Sequence, residues 1–117
     1  MTELRGLRTV IYPTDDLAAS TAWWTSLLGF GPYFDEPFYV GFDVGGHELG
    51  LLPDAPVSEG ALAYWRVDDV LVAVAAAVAQ GAVLHTPAAD VGGGIVTALV
   101  RAPDAALVGF ISLPPEG

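Results

Sequence analysis

The segment Ile11–Leu17, IYPTDDL, returns 53 residues later as YWRVDDV at Tyr64–Val70. A repeat of this kind limits the chain to folds that can be built twice from one plan. Each copy is a short apolar, strand-like run that closes on two aspartates and leads into a helical pattern. Asp15 and Asp68 are placed to cap these helices by accepting orphan N–H groups, and the second aspartate of each pair then complements the positive helix end. Along the first helix Leu17, Thr21, Trp24 and Leu28 recur at i, i+4, i+7 and i+11 as one stripe, which Gly29 ends. Along the second, Val70, Val74, Ala77 and Val78 mark the stripe and Gly81 ends it. Ala73, Ala75, Ala76 and Ala79 fill the rest, giving strong helix propensity and room for close packing on a sheet.

Strand signals follow each helix. GFGPYFDEP reads as irregular and aromatic, and FYVGFDV and HELGLLP then flank Gly45-Gly46, a hairpin signal because glycine accepts positive φ. After the second helix come AVLHTP, the Gly92-Gly93-Gly94 stretch, IVTALVRAP and ALVGFISLP. Each half therefore reads β-α-β-β-β. Module one covers residues 6–53, the polar linker DAPVSEG residues 54–60, and module two residues 61–113. Together they predict one α+β domain, 1–117, made by duplication.

Charge and composition remove several function classes. Fourteen acidic residues face four arginines and no lysine, a net charge of −10. That balance repels phosphate backbones, so no nucleic-acid partner is expected, while cationic ligands are favoured by long-range attraction. The same acidity also serves solubility. The absence of cysteine excludes disulfides, thiolate metal sites and cysteine nucleophiles, and fits a reducing, cytoplasmic setting. VLVAVAAAVA (70–79) is about half the ~20 residues a membrane helix needs, so no membrane partner is expected. MTELRGLRTV lacks the long apolar core of a signal peptide.

His47 and Glu48 are metal-binding residue types in an apolar run, but strand alternation sends them to opposite faces. Glu48 shares its face with Gly50. It reads either as a carboxylate for a cationic or hydroxyl-bearing ligand, or as a solvated strand shoulder, with His47 on the outside. His85 is the candidate acid or base, against a reading as a loop-edge histidine with a structural hydrogen bond. Gly92-Gly93-Gly94 lacks the lysine and hydroxyl of a phosphate loop. Phe34, Phe38 and Tyr39 lie in or beside an irregular loop as stacking surfaces of the kind that line ligand cavities. Arg66 and Arg101 pair with aspartates or bind an anionic ligand group.

Two βαβββ modules, the Asp16-Leu17 helix start, an aromatic-rich helix ending Leu28-Gly29-Phe30, and APDAALVGF (102–110) resemble the vicinal oxygen chelate superfamily. This is the superfamily of glyoxalases, bleomycin-resistance proteins, fosfomycin-resistance enzymes and extradiol dioxygenases. The resemblance covers residues 7–113. It implies two modules forming a curved mixed sheet around a cavity, and a homodimer with paired or swapped modules. Metal-using relatives carry ligands on the first and last strand of each module. Here those slots hold Thr9, Gly50, Leu62 and Gly109, which cannot assemble the donors a divalent ion needs, so neither a metal nor another cofactor is expected. Leu62, Tyr64 and Arg66 share the face of the slot, which directs Tyr64 and Arg66 inward and Trp65 toward the helices. The resemblance thus implies a metal-free small-molecule-binding protein of the bleomycin-resistance type, serving drug sequestration or resistance. Its ligand would be aromatic or cationic and would meet Thr9, Phe34, Phe38, Tyr39, Glu48, Tyr64 and Arg66. The alternative is an enzyme of lyase, isomerase or dioxygenase type using His85 or Glu48. Gly50, lacking a side chain, implies an open cavity.

Overall fold

Two aspartates fix where the helices begin, each one residue later than the sequence suggested. The structure, a computed structural model, describes residues 4–114. Asp16, in extended backbone, caps α1 (Leu17–Leu28), its carboxylate accepting the Ala19 N–H at 3.0 Å. Asp69 caps α2 (Val70–Ala79), accepting the N–H groups of Leu71 and Val72 at 2.9 and 3.3 Å. Asp15 and Asp68 do not cap. A cap must reach the second or third N–H of the helix, and from one residue further back neither carboxylate is placed to do so.

Among the described residues eight strands and two α-helices follow the order βαβββ twice, an α+β fold. The strands are β1 (Leu7–Thr14), β2 (Phe34–Glu36), β3 (Tyr39–Val44), β4 (His47–Pro53), β5 (Leu62–Arg66), β6 (Val83–Asp90), β7 (Val96–Arg101) and β8 (Leu107–Ser112). The stretch expected to be irregular before β3 contains β2, paired antiparallel with Phe34 opposite Gly41 and Glu36 opposite Tyr39. The linker 54–60 holds a single 3-10 turn, Val57–Glu59. No helix among the described residues is long and apolar enough to cross a membrane.

The chain divides into two compact units, Thr9–Leu62 and the described residues of 1–8 with 63–117. In the Thr9–Leu62 unit the strands run in the order β2-β3-β4-β1, with β1 and β4 parallel and the other pairs antiparallel. Gly45 and Gly46 join β3 to β4 at φ 61° and 86°; a two-residue turn with both values positive matches the twist of the strands it connects. Val40, Phe42 and Leu51 form the core of this unit, covered by Leu17, Trp24 and Leu28 of α1. The helix stripe read from the sequence is therefore the packed one. Its polar member, Thr21, donates its hydroxyl to the Leu17 carbonyl at 2.7 Å and so brings no unmet polar group toward the core.

In the other unit the order is β5-β8-β7-β6, with β5 and β8 parallel. Val67, Val70, Ala73, Ala98, Val100 and Phe110 form its core, with Trp65, Val74 and Ala77 against it. Here the stripe differs from expectation. Ala73, taken as filling, is fully buried, while Val78 is exposed. The packed face runs Val70, Ala73, Val74, Ala77, and the small alanines let the helix backbone approach the sheet closely.

Candidate functional site

Strand alternation sends Val40, Phe42, Leu49 and Leu51 of β3 and β4 to the core beneath α1. The intervening residues Tyr39, Gly41, Glu48 and Gly50 occupy the opposite, helix-free face of the same sheet. His47 stands apart from them, exposed at the start of β4. On the helix-free face the Glu48 carboxylate accepts two phenolic hydrogen bonds, from Tyr33 to one oxygen and from Tyr39 to the other. Charge-assisted bonds of this type are the stronger class in proteins.

The two rings reach Glu48 because glycines lie beneath them. A Cβ on Gly41 would stand 3.2 Å from the Tyr33 ring and 3.3 Å from the Tyr39 ring, and one on Gly50 would stand 2.7 Å from Cζ of Tyr39. Tyr33 is also tied to this strand through its backbone, its N–H donating to the Gly41 carbonyl at 3.0 Å. Around the clasp, Phe34 lies with its ring centroid 6.0 Å from Phe38 and 6.2 Å from Tyr39, the planes inclined at 64° and 55°. Tyr33 and Phe38 leave 62% and 64% of their surface exposed. Thr9 faces Glu48 in the β1–β4 register and is buried, at 7% exposure.

The expectation that Gly50 opens a cavity is corrected: the phenol of Tyr39 lies in the space its missing side chain leaves. Interiors close up to high packing density, and a glycine in a sheet invites the nearest long side chain to fill the gap. Tyr33 was not among the site residues read from the sequence. The available signal was Gly41 and Gly50, which become direct neighbours only once the β3–β4 register is known.

In the other unit Tyr64 and Arg66 share a face, opposite Gly109 and Ile111, while Trp65 opposite Phe110 packs toward α2. The Tyr64 ring lies across Gly109, where a Cβ would come within 2.6 Å of Cδ2 and 2.9 Å of Cγ. Burial pushes the Tyr64 phenol above its ordinary value, because the protein interior solvates the phenolate poorly. Arg66 is exposed, and the aspartate beside it, Asp68, takes its hydrogen bond from Arg5 at 2.9 Å. That bond, the charge of Arg5 and the more distant charge of Arg66 together hold Asp68 below the usual carboxylate range. Arg101 donates to the Ala105 backbone carbonyl at 2.8 Å. His85 sits at a break in the β6–β7 register: Leu84 faces Val100 and Thr86 faces Leu99, leaving the histidine as the extra residue of a bulge. It is exposed, with Nδ1 2.9 Å from the Thr86 hydroxyl.

The residues in the four metal-ligand slots do not fit a metal. Gly50 and Gly109 offer no donor, and rings of Tyr39 and Tyr64 lie where a ligand side chain would start. Leu62 is apolar, and a threonine hydroxyl alone cannot hold a divalent ion. Among the described residues no three histidine, aspartate or glutamate side chains gather in a group able to hold one.

Comparison with known proteins agrees with this architecture. The sequence model of the Glyoxalase/Bleomycin resistance protein/Dioxygenase superfamily matches residues 6–110. Among curated proteins none matches the chain. Similar solved structures include methylmalonyl-CoA epimerase from Mycobacterium tuberculosis, 17% identical, covering 96% of this chain and 90% of that one with a TM-score of 0.75. A superfamily member from Vibrio splendidus 12B01 is 21% identical over 91% of this chain and 98% of its own, with a TM-score of 0.67. The Mn(II)-bound glyoxalase from Novosphingobium aromaticivorans is 16% identical and aligns with all of this chain but 44% of its own length, with a TM-score of 0.74. At these identities the likeness shows the fold alone.

Proposed function

Because the chain belongs to the glyoxalase/bleomycin resistance protein/dioxygenase superfamily, we propose that it binds a small organic molecule without a metal and sequesters it unchanged. The observation that carries this reading is the clasp of Tyr33 and Tyr39 on Glu48, set among the exposed rings of Phe34 and Phe38. Ligand sites combine apolar and aromatic surface with a few polar groups fixed in place, and this face of the sheet supplies both. Thr9, across from Glu48, adds a hydroxyl-bearing residue to the same face. Drug sequestration by a cytoplasmic homodimer is the role this chemistry serves, and Trp23 and Leu27, exposed one turn apart on α1, are apolar surface such a dimer would cover. Calorimetry against a panel of planar aromatic and cationic compounds, on protein purified without chelator and assayed for metal, tests the proposal. Binding at a metal-free site is expected; stoichiometric bound metal overturns it.

A second reading has its own support in the other unit. A bulge redirects the side chain it carries, and the bulge in β6 carries His85, next to the Thr86 hydroxyl. Tyr64, kept protonated by burial, is a hydrogen-bond donor on the same sheet, and Arg66 shares its face. An isomerase or lyase using these groups would lose turnover in His85→Ala while keeping its fold.

A further inference from the structure

We infer that the ligand group received beside Glu48 is an organic cation carrying methyl groups in place of N–H donors, a quaternary ammonium. The inference rests on the binding reading above and narrows it to one chemical class.

Three observations lead to it. The first is the arrangement of rings. Phe38, Phe34 and Tyr39 follow one another at 6.0 and 6.2 Å with planes inclined by 64° and 55°. Rings inclined to one another share no plane across which a flat ligand could stack, whereas their faces, beside the carboxylate that holds Tyr39, suit a compact rounded cation. The face of each ring is the negative end of its quadrupole and attracts such a charge.

The second is the state of the carboxylate. Both Glu48 oxygens already accept phenolic hydrogens. Each oxygen keeps a second lone pair, but the rings beside it offer no acceptors for the remaining N–H groups of a primary ammonium, which is also the more strongly hydrated cation. A quaternary ammonium donates nothing, so it can lie against the rings and feel the negative charge with the clasp intact. The clasp in turn holds both rings in place, so less ordering is left for the ligand to impose.

The third is the distribution of charge. All four arginines belong to the unit made of residues 1–8 and 63–117. Thr9–Leu62 contains eight carboxylates and neither lysine nor arginine. The basic side chain of that unit, His47, lies on the other side of its strand, and Arg8, which precedes Thr9 on β1, alternates to the face opposite Glu48. A chain of this charge also draws cations from a distance, an effect that salt screens.

Calorimetry on the full chain with three ligands tests the inference. They are choline, its uncharged isostere 3,3-dimethylbutan-1-ol, and ethanolamine, which replaces the methyl groups with N–H donors. Choline is expected to bind at least tenfold more tightly than either of the others, and Glu48→Gln is expected to remove that advantage. The ligand comparison on the unaltered protein stands even where the variant fails to fold. Equal affinity for choline and its isostere overturns the cationic assignment, as does tighter binding of ethanolamine. Binding of a neutral aromatic compound on this face with no response to choline overturns the inference and leaves the binding reading in place. No binding of any class on this face overturns both.

Discussion

Gly50 and Gly109 stand at matching places in the two modules, and each lies beneath a tyrosine, yet the tyrosines arrive from opposite flanks. In the Thr9–Leu62 unit Gly50 is flanked by Ile11 on β1 and Gly41 on β3, and the covering ring is Tyr39 of β3. In the other unit Gly109 is flanked by Tyr64 on β5 and Leu99 on β7, and the ring comes from β5. Tyr64 is the repeat equivalent of Ile11, and Leu99 stands where the first unit has Gly41. The packing requirement is the same in both, a gap over a glycine that a ring fills. What differs is the polar outcome. With Gly41 leaving its side open, two phenols reach Glu48; with Leu99 in that place, a single phenol lies half-buried and less readily ionised. The two units share a scaffold, but this face carries the carboxylate of Glu48 in one and the guanidinium of Arg66 in the other.

The comparison is most exposed to a test at the glycines. In Gly109→Ala the new methyl meets Cγ and Cδ2 at the root of the Tyr64 ring, so the whole side chain must move. In Gly50→Ala it meets the far end of Tyr39, which can swing aside. Gly109→Ala is expected to cost about 2–3 kcal/mol and Gly50→Ala about 1 kcal/mol in urea unfolding at constant slope, within the usual range for overpacking. Equal costs would mean that the two rings are seated alike. Gly50→Ala should nonetheless lose more ligand affinity, since it releases Tyr39 from Glu48.

An effect smaller than that of Gly109→Ala is expected at the clasp. Tyr33→Phe and Tyr39→Phe each remove one hydrogen bond to Glu48, worth about 1 kcal/mol at the half-buried Tyr39, the same bond that Gly50→Ala breaks, and less at the exposed Tyr33. In a double-mutant cycle the two should couple, because they share one carboxylate; strict additivity would show that they do not act as a unit.

Much of this was legible in the sequence, and the parts that were not share a cause. The helix stripe of α1, the Gly45-Gly46 turn and the opposite faces of His47 and Glu48 depend on residues near one another in the chain. Tyr33 over Gly41 and Tyr39 over Gly50 depend on register between strands, which the glycines allow but do not specify. Read alone, Gly50 signalled an empty space. Read with its neighbours, it marks where a ring belongs. Ala73 was misplaced for a related reason: alanine has no strong pattern of its own, and its full burial follows from how closely α2 approaches the sheet.

Weaker still is the acid–base signature of the second unit. Tyr64 titrates above the ordinary tyrosine value, so the unfolded chain ionises first as pH rises and favours the unfolded side of the equilibrium. Stability should be unaffected by this group below about pH 10 and fall above it. Tyr64→Phe should flatten that decline in pH-dependent unfolding. Least of all is expected from the pair of Arg5 and Asp68. Both side chains are exposed, and although Asp68 is held low, Arg5→Ala should leave the urea midpoint at neutral pH unmoved.

The claim that ligand recognition belongs to the face carrying Glu48 is tested most directly by backbone amide shifts recorded as choline is added to the labelled full chain. The account predicts saturable changes centred on Tyr33, Phe34, Tyr39, Gly41 and Glu48, lost in Glu48→Gln. Changes centred instead on Tyr64, Gly109 and His85, or none at all, would contradict it.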